Sequence, residues 1–229
     1  MHSAATDSRP PALPTLLNEA KGIVAWPLRM MNAPPMPARV DGPPVMVIPG
    51  FLSSDRSTAV LRRALADAGF RTHGWHMGMN WGTRADTLDR LDARLDRVFS
   101  KNGAPVTLVG WSLGGIYARE LAKRRPQIVS RVLTMGTPFS GSMRNNHAWI
   151  LYELMNRHKV DKPPINVRVA EKPPVPTFAL WSRRDGIVAA ASARGLAHES
   201  DEAIELDCTH IGYATDPAAI ARVVELLRR

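Results

Sequence analysis

The chain of 229 residues lacks most features that mark secreted, membrane-spanning or metal-rich proteins. Its single cysteine, Cys208, excludes an intramolecular disulfide and a cysteine-rich metal site. The longest run without a charged residue, 102–118, is broken by glycines and a proline, so no segment is predicted to cross a membrane. The N-terminus has no basic region followed by an apolar stretch, so we expect no secretory signal and a cytoplasmic location.

Positive charge is in excess but scattered along the chain. Thirty Lys and Arg residues against 21 Asp and Glu residues give a net charge of +9, which would suit nucleic acid or an anionic surface if it were clustered. The longest basic run is only Lys123–Arg125. We therefore expect no nucleic-acid partner, and weak peripheral contact with anionic lipid is the interaction that this charge allows.

Short apolar runs alternate with helical periodicity after a proline-rich stretch at 32–44. Apolar faces with helical spacing begin at Leu88, Ile116 and Ile220. The alternation predicts an α/β fold with a mostly parallel sheet of about six strands, flanked by helices in a single domain over 15–229. The predicted strands are Val45–Ile48, Arg71–Trp75, Pro105–Val109, Arg131–Met135, Thr177–Trp181 and Ala203–Leu206.

Three segments are expected to lie outside the core of this domain. Residues 1–14 are rich in Ser, Pro and Ala and are predicted to form a flexible tail. Residues 15–31 carry apolar side chains at helical spacing, which predicts an amphipathic helix that packs on its own domain or lies on a membrane surface. Residues 139–176 are long for a connection and have their own apolar cluster, which predicts a small cap or lid.

The strongest chemical signal is the sequence GWSLGG at 110–115. A predicted strand precedes it and a predicted helix follows, and in this context G-x-S-x-G lifts a serine above the edge of a sheet. Gly110 and Gly114 let the strand and helix backbones approach closely, and the helix N-terminus supplies free N–H groups. Ser112 is therefore the predicted nucleophile. A phosphate-binding loop is disfavoured because its glycine and lysine pattern is missing.

A serine nucleophile needs a base, and the base needs a carboxylate that orients it. Of the seven histidines, His210 lies between the last predicted strand and the final helix, at the sheet edge that it would share with the serine. Asp185, just after the fifth strand, is the preferred carboxylate. Asp207 is its main rival, and Asp161 and Glu171 are weaker ones.

Acyl transfer also needs backbone N–H donors for the oxyanion and a pocket for the substrate. We expect one donor from Leu113, after the nucleophile, and one from Phe51 in the loop after the first strand, with Leu52 as the alternative. Apolar side chains in loops at the same edge are predicted to line a substrate pocket, unless they simply pack over the core. These side chains are Leu52, Trp75, Met79, Trp81, Trp111, Phe139 and Trp149.

Five segments in this order resemble the α/β-hydrolase superfamily and, within it, bacterial lipase- and esterase-like serine hydrolases: VMVIPGFLSSD, LVGWSLGG, LTMGTPFSGS, WSRRDGIV and CTHIG. The similarity extends from about residue 40 to the C-terminus. It implies cleavage of a small-molecule or lipid ester through an acyl-enzyme on a Ser-His-Asp triad, without cofactor or metal. Two departures are Pro49-Gly50, where many relatives have His-Gly, and a core trimmed from eight strands to about six.

Two other functions fit the same residues. An acyltransferase would use the same triad and differ only in the acceptor that reaches the acyl-enzyme. A non-catalytic protein could keep the fold and bind a membrane surface through its N-terminal helix.

Overall fold

The computed structural model describes residues 10–12, 14–16, 18–19, 42–141, 153 and 168–229. The strands of these ranges are β1 (Pro44–Ile48), β2 (Arg71–Gly74), β3 (Val106–Trp111), β4 (Val129–Met135), β5 (Thr177–Trp181) and β6 (Glu202–Glu205). The main helices are α1 (Ala59–Asp67), α2 (Thr87–Asn102), α3 (Leu113–Arg124), α4 (Ala190–Arg194), α5 (Gly212–Thr215) and α6 (Pro217–Arg228).

The strands form one six-stranded sheet in the order β2-β1-β3-β4-β5-β6, and every neighbouring pair is parallel. The predicted α/β fold with a parallel sheet of about six strands is therefore confirmed. After β1 the chain moves to one side to form β2 and then returns to the other side of β1 to form β3. The carboxyl ends of β1 and β3 consequently open a crevice, where ligands bind in open parallel sheets.

The side chains of β1 alternate between two apolar cores, one on each face of the sheet. Val45 and Val47 pack with residues of α1, α5 and α6, whereas Met46 and Ile48 pack with residues of α2 and α3. Every residue of β1 is buried. This is the pattern of a central parallel strand covered by helices on both faces, and it explains why the strand is a continuous apolar run.

The bounds of several strands differ from the prediction by one or two residues, and the differences at the carboxyl ends of β2 and β3 have a local cause. β2 ends at Gly74, one residue earlier than predicted, because the Trp75 N–H donates to the Asp55 carboxylate at 2.9 Å. β3 continues two residues beyond the predicted end at Val109, because Gly110 and Trp111 pair with Thr134 and Met135 of β4. This extension carries the strand directly into the residue before Ser112.

Helix α6 has a well-defined start that places the preceding loop. Asp216 caps the helix by accepting hydrogen bonds from the N–H groups of Ala218 and Ala219, and Pro217 occupies the first turn. The helix therefore begins just after Asp216. Between this cap and the end of β6, residues 206–215 form a short loop and α5.

The predicted N-terminal helix and the predicted cap are only partly covered by the described residues. Residues 14–16 and 18–19 are helical, while 20–31 and residues 1–9 of the predicted tail lie outside the described part of the chain. Of the predicted cap at 139–176, the structure describes 139–141, 153 and 168–176. Among the helices in the described ranges, none combines the length and apolar character needed to span a bilayer.

Candidate active site

Ser112 lies in the tight turn that joins β3 to α3. Its backbone has φ 54° and ψ −124°, a left-handed conformation that non-glycine residues seldom adopt. The turn is held by the Ser112 N–H, which donates to the Met135 carbonyl at 2.8 Å. This conformation is the strained strand-to-helix turn that presents a nucleophilic serine at the sheet edge.

The turn depends on glycine at two positions where the backbones nearly touch. A Cβ atom on Gly110 would lie 2.3 Å from the Cα of Gly115. A Cβ atom on Gly114 would lie 2.3 Å from the Ile48 carbonyl oxygen. Both obstacles are backbone atoms that cannot rotate away, so the close approach of strand and helix requires these glycines.

His210 and Asp185 are brought together at the same sheet edge by the loops that follow β6 and β5. The Nδ1 atom of His210 and Oδ2 of Asp185 are 2.8 Å apart, and both side chains are buried. The other carboxylate oxygen of Asp185 accepts the N–H groups of Ile187 and Val188 at 2.9 and 2.8 Å. The turn after β5 therefore fixes the carboxylate, which in turn fixes the imidazole.

The rival carboxylates do not contact the imidazole in the described part of the structure. The side chain of Asp207 is 83% exposed and pairs with Arg184 at 3.3 Å, so it points to solvent. Glu171 is also exposed and lies 4.0 Å from Arg168. Asp161 lies outside the described residues.

The environment of His210 favours its protonated form. Burial lowers the pKa of the imidazole, but the charge of Asp185, the hydrogen bond to it and the charge of Glu19 act in the opposite direction and prevail. The pKa of His210 is consequently raised above its usual value. An imidazole in this setting is a stronger base than a free one, as proton removal from a serine hydroxyl requires.

The serine turn and the histidine loop are joined through Trp111. Its indole N–H donates to the His210 carbonyl at 3.0 Å, and the two ring centroids are 5.7 Å apart. The hydroxyl of Ser112 makes no hydrogen bond to the imidazole among the described contacts. Catalytic hydrogen bonds are often long before substrate binds, so this geometry is compatible with a base that aligns on the serine in the complex.

The loop after β1 passes directly against the serine turn. A Cβ atom on Gly50 would lie 3.0 Å from the Ser112 Cβ. The Leu52 N–H donates to the Asn80 carbonyl at 2.8 Å, so this alternative oxyanion donor already has an acceptor. Leu113 is the first residue of α3, where a helical N–H has no acceptor within the helix. The position of Leu113 therefore agrees with its prediction as a donor, and the prediction of Phe51 rests on the sequence.

The predicted pocket residues divide into exposed and buried groups. Met79 and Trp81 are 41% and 49% exposed, and Leu52 is half-buried. In contrast, the side chains of Trp75, Trp111 and Phe139 are buried, and the Trp75 indole donates to the Gly78 carbonyl at 2.9 Å. Trp149 lies outside the described residues. Of the predicted pocket residues that the structure describes, Met79, Trp81 and Leu52 are accessible at the surface without rearrangement of the core.

Two polar residues that the sequence analysis did not single out shape the surroundings of the site. Asn80, 1% exposed, holds the β1 loop by donating from its side chain to the Pro49 carbonyl at 2.9 Å. Arg119 of α3 is fully buried, and burial lowers its pKa to about 10. The sequence signal for Asn80 was a polar residue inside an apolar loop. Arg119 gave no signal in the sequence, because helical arginines usually face solvent.

The guanidinium of Arg119 binds two connections of the chain, the one between β4 and β5 and the one between α4 and β6. It donates to four backbone carbonyls at 2.9–3.2 Å, those of Val169, Ala170, Glu171 and Glu199. It also lies 4.1 Å from the centroid of the Phe139 ring. Arg119 therefore anchors both described ends of the predicted cap to helix α3.

Comparison with known proteins agrees with this architecture. The family model described as alpha/beta hydrolase fold matches residues 43–162, and the chain belongs to this family. The mature lipase BlEst2 from Bacillus licheniformis superposes with a TM-score of 0.61 and 17% identity, over 85% of this chain and 96% of the lipase. The carboxylesterase CesB from Bacillus subtilis superposes with a TM-score of 0.59 and 14% identity, over 93% and 98% of the two chains.

A curated relative matches a shorter stretch of the sequence. The biotin biosynthesis bifunctional protein BioHC of Teredinibacter turnerae is 40% identical over 60 residues. This match covers 26% of the present chain and 10% of that protein. The chain thus spans a small part of this relative.

Proposed function

We propose that this chain is a serine hydrolase that cleaves carboxylic esters, with Ser112 as nucleophile, His210 as general base and Asp185 as the orienting carboxylate. The observation that carries the proposal is the buried 2.8 Å contact between His210 and Asp185, joined through Trp111 to a serine in a strained strand-to-helix turn. A carboxylate on Nδ1 leaves Nε2 of the neutral imidazole free to accept a proton.

The reaction proceeds through an acyl-enzyme. As Ser112 Oγ bonds to the ester carbonyl carbon, its proton passes to Nε2 of His210, and the carbonyl electron pair becomes an oxyanion. The N–H groups of Leu113 and Phe51 donate to this oxyanion. Its collapse breaks the bond to the alcohol oxygen, which takes the proton from the imidazolium. Water then attacks the acyl-enzyme with His210 again as base, and free Ser112 and a carboxylic acid result.

The exposed apolar side chains support an ester with an apolar acyl or alcohol group as the substrate. Met79 and Trp81 flank Asn80, which bonds the loop after β1, and Gly50 of that loop lies against the Ser112 turn. Their burial by substrate would contribute to binding. A cytoplasmic location and weak contact with anionic lipid belong to the same proposal and rest on the sequence alone.

A fluorophosphonate probe tests the assignment of the nucleophile, because it reacts covalently with activated serines. We expect the purified protein to be labelled and Ser112→Ala to remain unlabelled, while Ser100→Ala, which removes an exposed serine of α2, labels normally. Hydrolysis of p-nitrophenyl esters of increasing acyl length then defines the preferred chain. An unlabelled wild-type protein that turns over none of these esters would overturn the proposal.

A further inference from the structure

A buried acidic residue of the N-terminal segment lies between the two loops that carry the proposed base and acid. The side chain of Glu19 is fully buried. One carboxylate oxygen accepts the N–H groups of Gly186, at 3.0 Å, and of His210. The other oxygen accepts the N–H of Ile211 at 3.3 Å. A single carboxylate thus holds the backbone next to Asp185 and the backbone of His210 itself.

The segment that carries Glu19 is packed tightly against the acid turn. A Cβ atom on Gly186 would lie only 2.3 Å from the Thr15 carbonyl oxygen. Glycine at position 186 therefore allows Thr15 and Leu16 to approach the turn after β5 closely, and Glu19 of the same segment reaches both loops. The contact follows from the fold of this chain and does not depend on a flexible surface side chain.

Glu19 is a buried carboxylate whose described partners are three backbone N–H groups. These N–H groups stabilise the charged form of the carboxylate. A positive charge that forms nearby during the reaction would be attracted to the carboxylate, and the imidazolium of His210 is such a charge.

We propose that Glu19 is a positioning residue of the active site, which sets the spacing of the His210 and Asp185 loops and stabilises the imidazolium formed when Ser112 loses its proton. This inference rests on the proposed function of the triad. It assigns a catalytic contribution to the N-terminal segment, which lies outside the residues 43–162 matched by the family model.

The groups around His210 leave two negative charges facing the imidazole. Asp185 approaches from the turn after β5 and Glu19 from the N-terminal segment. Tyr213 of α5 lies edge-on to the ring at 6.1 Å, and Cys208 precedes it in the loop. Burial and the nearby carboxylates raise the pKa of both Tyr213 and Cys208, so both remain neutral at ordinary pH. The charge of Glu19 helps to raise the pKa of His210.

The test compares Glu19→Gln with Glu19→Asp. Gln keeps the size and one acceptor oxygen but removes the charge. The acid limb of the pH profile of kcat/KM, which reports protonation of His210, should therefore move to lower pH, and kcat should fall. Asp keeps the charge on a shorter side chain, so kcat should fall while the acid limb stays close to that of the wild type. Loss of loop placement by about 1 Å costs roughly a hundredfold in rate, which sets the scale for Glu19→Ala.

Glu199→Gln is the matched control, because Glu199 is also a buried carboxylate bonded to a backbone N–H, that of Leu196 at 2.6 Å. This variant should lose stability without moving the acid limb. An NMR titration of the His210 imidazole in the wild type and in Glu19→Gln measures the change in the pKa of His210 directly. It does not need turnover, so it can be used if the variants are inactive. A folded Glu19→Gln protein whose His210 titrates as in the wild type would overturn the role of Glu19.

The two proposals fail in different ways. If the wild-type protein is not labelled by the fluorophosphonate, the triad assignment itself is rejected. Normal labelling of the wild type, combined with an unchanged acid limb in Glu19→Gln, would leave the triad in place and reject only the inference about Glu19.

Discussion

The indole of Trp111 donates its N–H to the backbone carbonyl of His210 at 3.0 Å, although the two residues are 99 positions apart. Trp111 is the last residue of β3 and directly precedes Ser112. The residue before the proposed nucleophile thus binds the backbone of the proposed base. The position of His210 relative to Ser112 therefore depends on β3.

Replacing Trp111 with Phe keeps an aromatic ring but removes this N–H donor together with part of the buried indole. The buried His210 carbonyl loses its partner, so we expect the free energy of unfolding to fall by about 1–3 kcal/mol and kcat to fall as the imidazole moves. Tyr117→Phe is the control, since it removes the buried 2.9 Å contact with Thr83 in the other core. Urea unfolding should show similar losses for both variants, and an unchanged kcat in Trp111→Phe would contradict the prediction.

Asp185 and Asp207 should respond very differently to conversion to Asn. Asp185→Asn removes the charge beside the imidazole, so kcat should fall on the order of 10³–10⁴-fold. Because Asp185 raises the pKa of His210, the wild-type acid limb should lie above the ordinary histidine value of about 6.5, and the variant's residual activity should show it at lower pH. Asp207→Asn disrupts only an exposed ion pair and should retain full activity in ester hydrolysis assays.

Trp81 offers a test of the proposed apolar pocket. Its exposed ring should bury against a long acyl chain, so Trp81→Ala should lower kcat/KM about tenfold for long-chain esters and leave acetate esters nearly unaffected. Leu196→Ala removes an equally exposed apolar side chain, from the connection between α4 and β6, and should change neither value. Equal losses on short and long esters would argue against a role in substrate binding.

Arg119 is predicted to contribute to stability rather than to chemistry. Arg119→Met leaves four backbone carbonyls near residues 169–171 and 199 without their donor, so the free energy of unfolding should fall by about 3–5 kcal/mol. Arg124→Met removes an exposed pair with Asp89 and should change it by less than about 0.5 kcal/mol. Guanidinium unfolding curves of the two variants measure the difference.

Cys208 should be unreactive in the folded protein. It is 4% exposed, and burial together with the charge of Asp185 raises the pKa of the thiol, so little thiolate forms at neutral pH. Iodoacetamide should leave the native protein unmodified and add one adduct after denaturation in urea, as read by mass spectrometry. Rapid labelling of the native protein would show that the loop around His210 opens.

The sequence was sufficient to predict the sheet because its four central strands are short, mainly apolar runs bounded by glycine, proline and polar residues. It also predicted a strand-to-helix turn at Ser112, since the glycine spacing around such a turn is a local property of the chain. The sequence favoured Asp185 over Asp207, although both residues follow a strand. In the structure the side chain of Asp185 is buried and that of Asp207 is exposed. This difference depends on how the loops after β5 and β6 pack against each other.

Other features were beyond the reach of local patterns. Nothing in the sequence near residue 19 indicates a contact with positions 186 and 210, since that contact arises from the packing of distant segments. Likewise, an apolar residue in a loop at the sheet edge can line a pocket or fill the core with the same local sequence. Trp75 and Phe139 are buried whereas Trp81 is exposed, and only the tertiary structure distinguishes these outcomes.

The bond between Glu19 and the backbone of His210 spans 191 positions of the chain. Contacts with such a large sequence separation close late in folding, because the loop-closure entropy must be offset by structure formed earlier. During synthesis on a ribosome, the nucleophile turn at 110–115 emerges long before the histidine loop. If Ser112 and His210 act as proposed, a nascent polypeptide gains activity only after the loop that carries His210 has left the exit tunnel and Glu19 has bound its backbone.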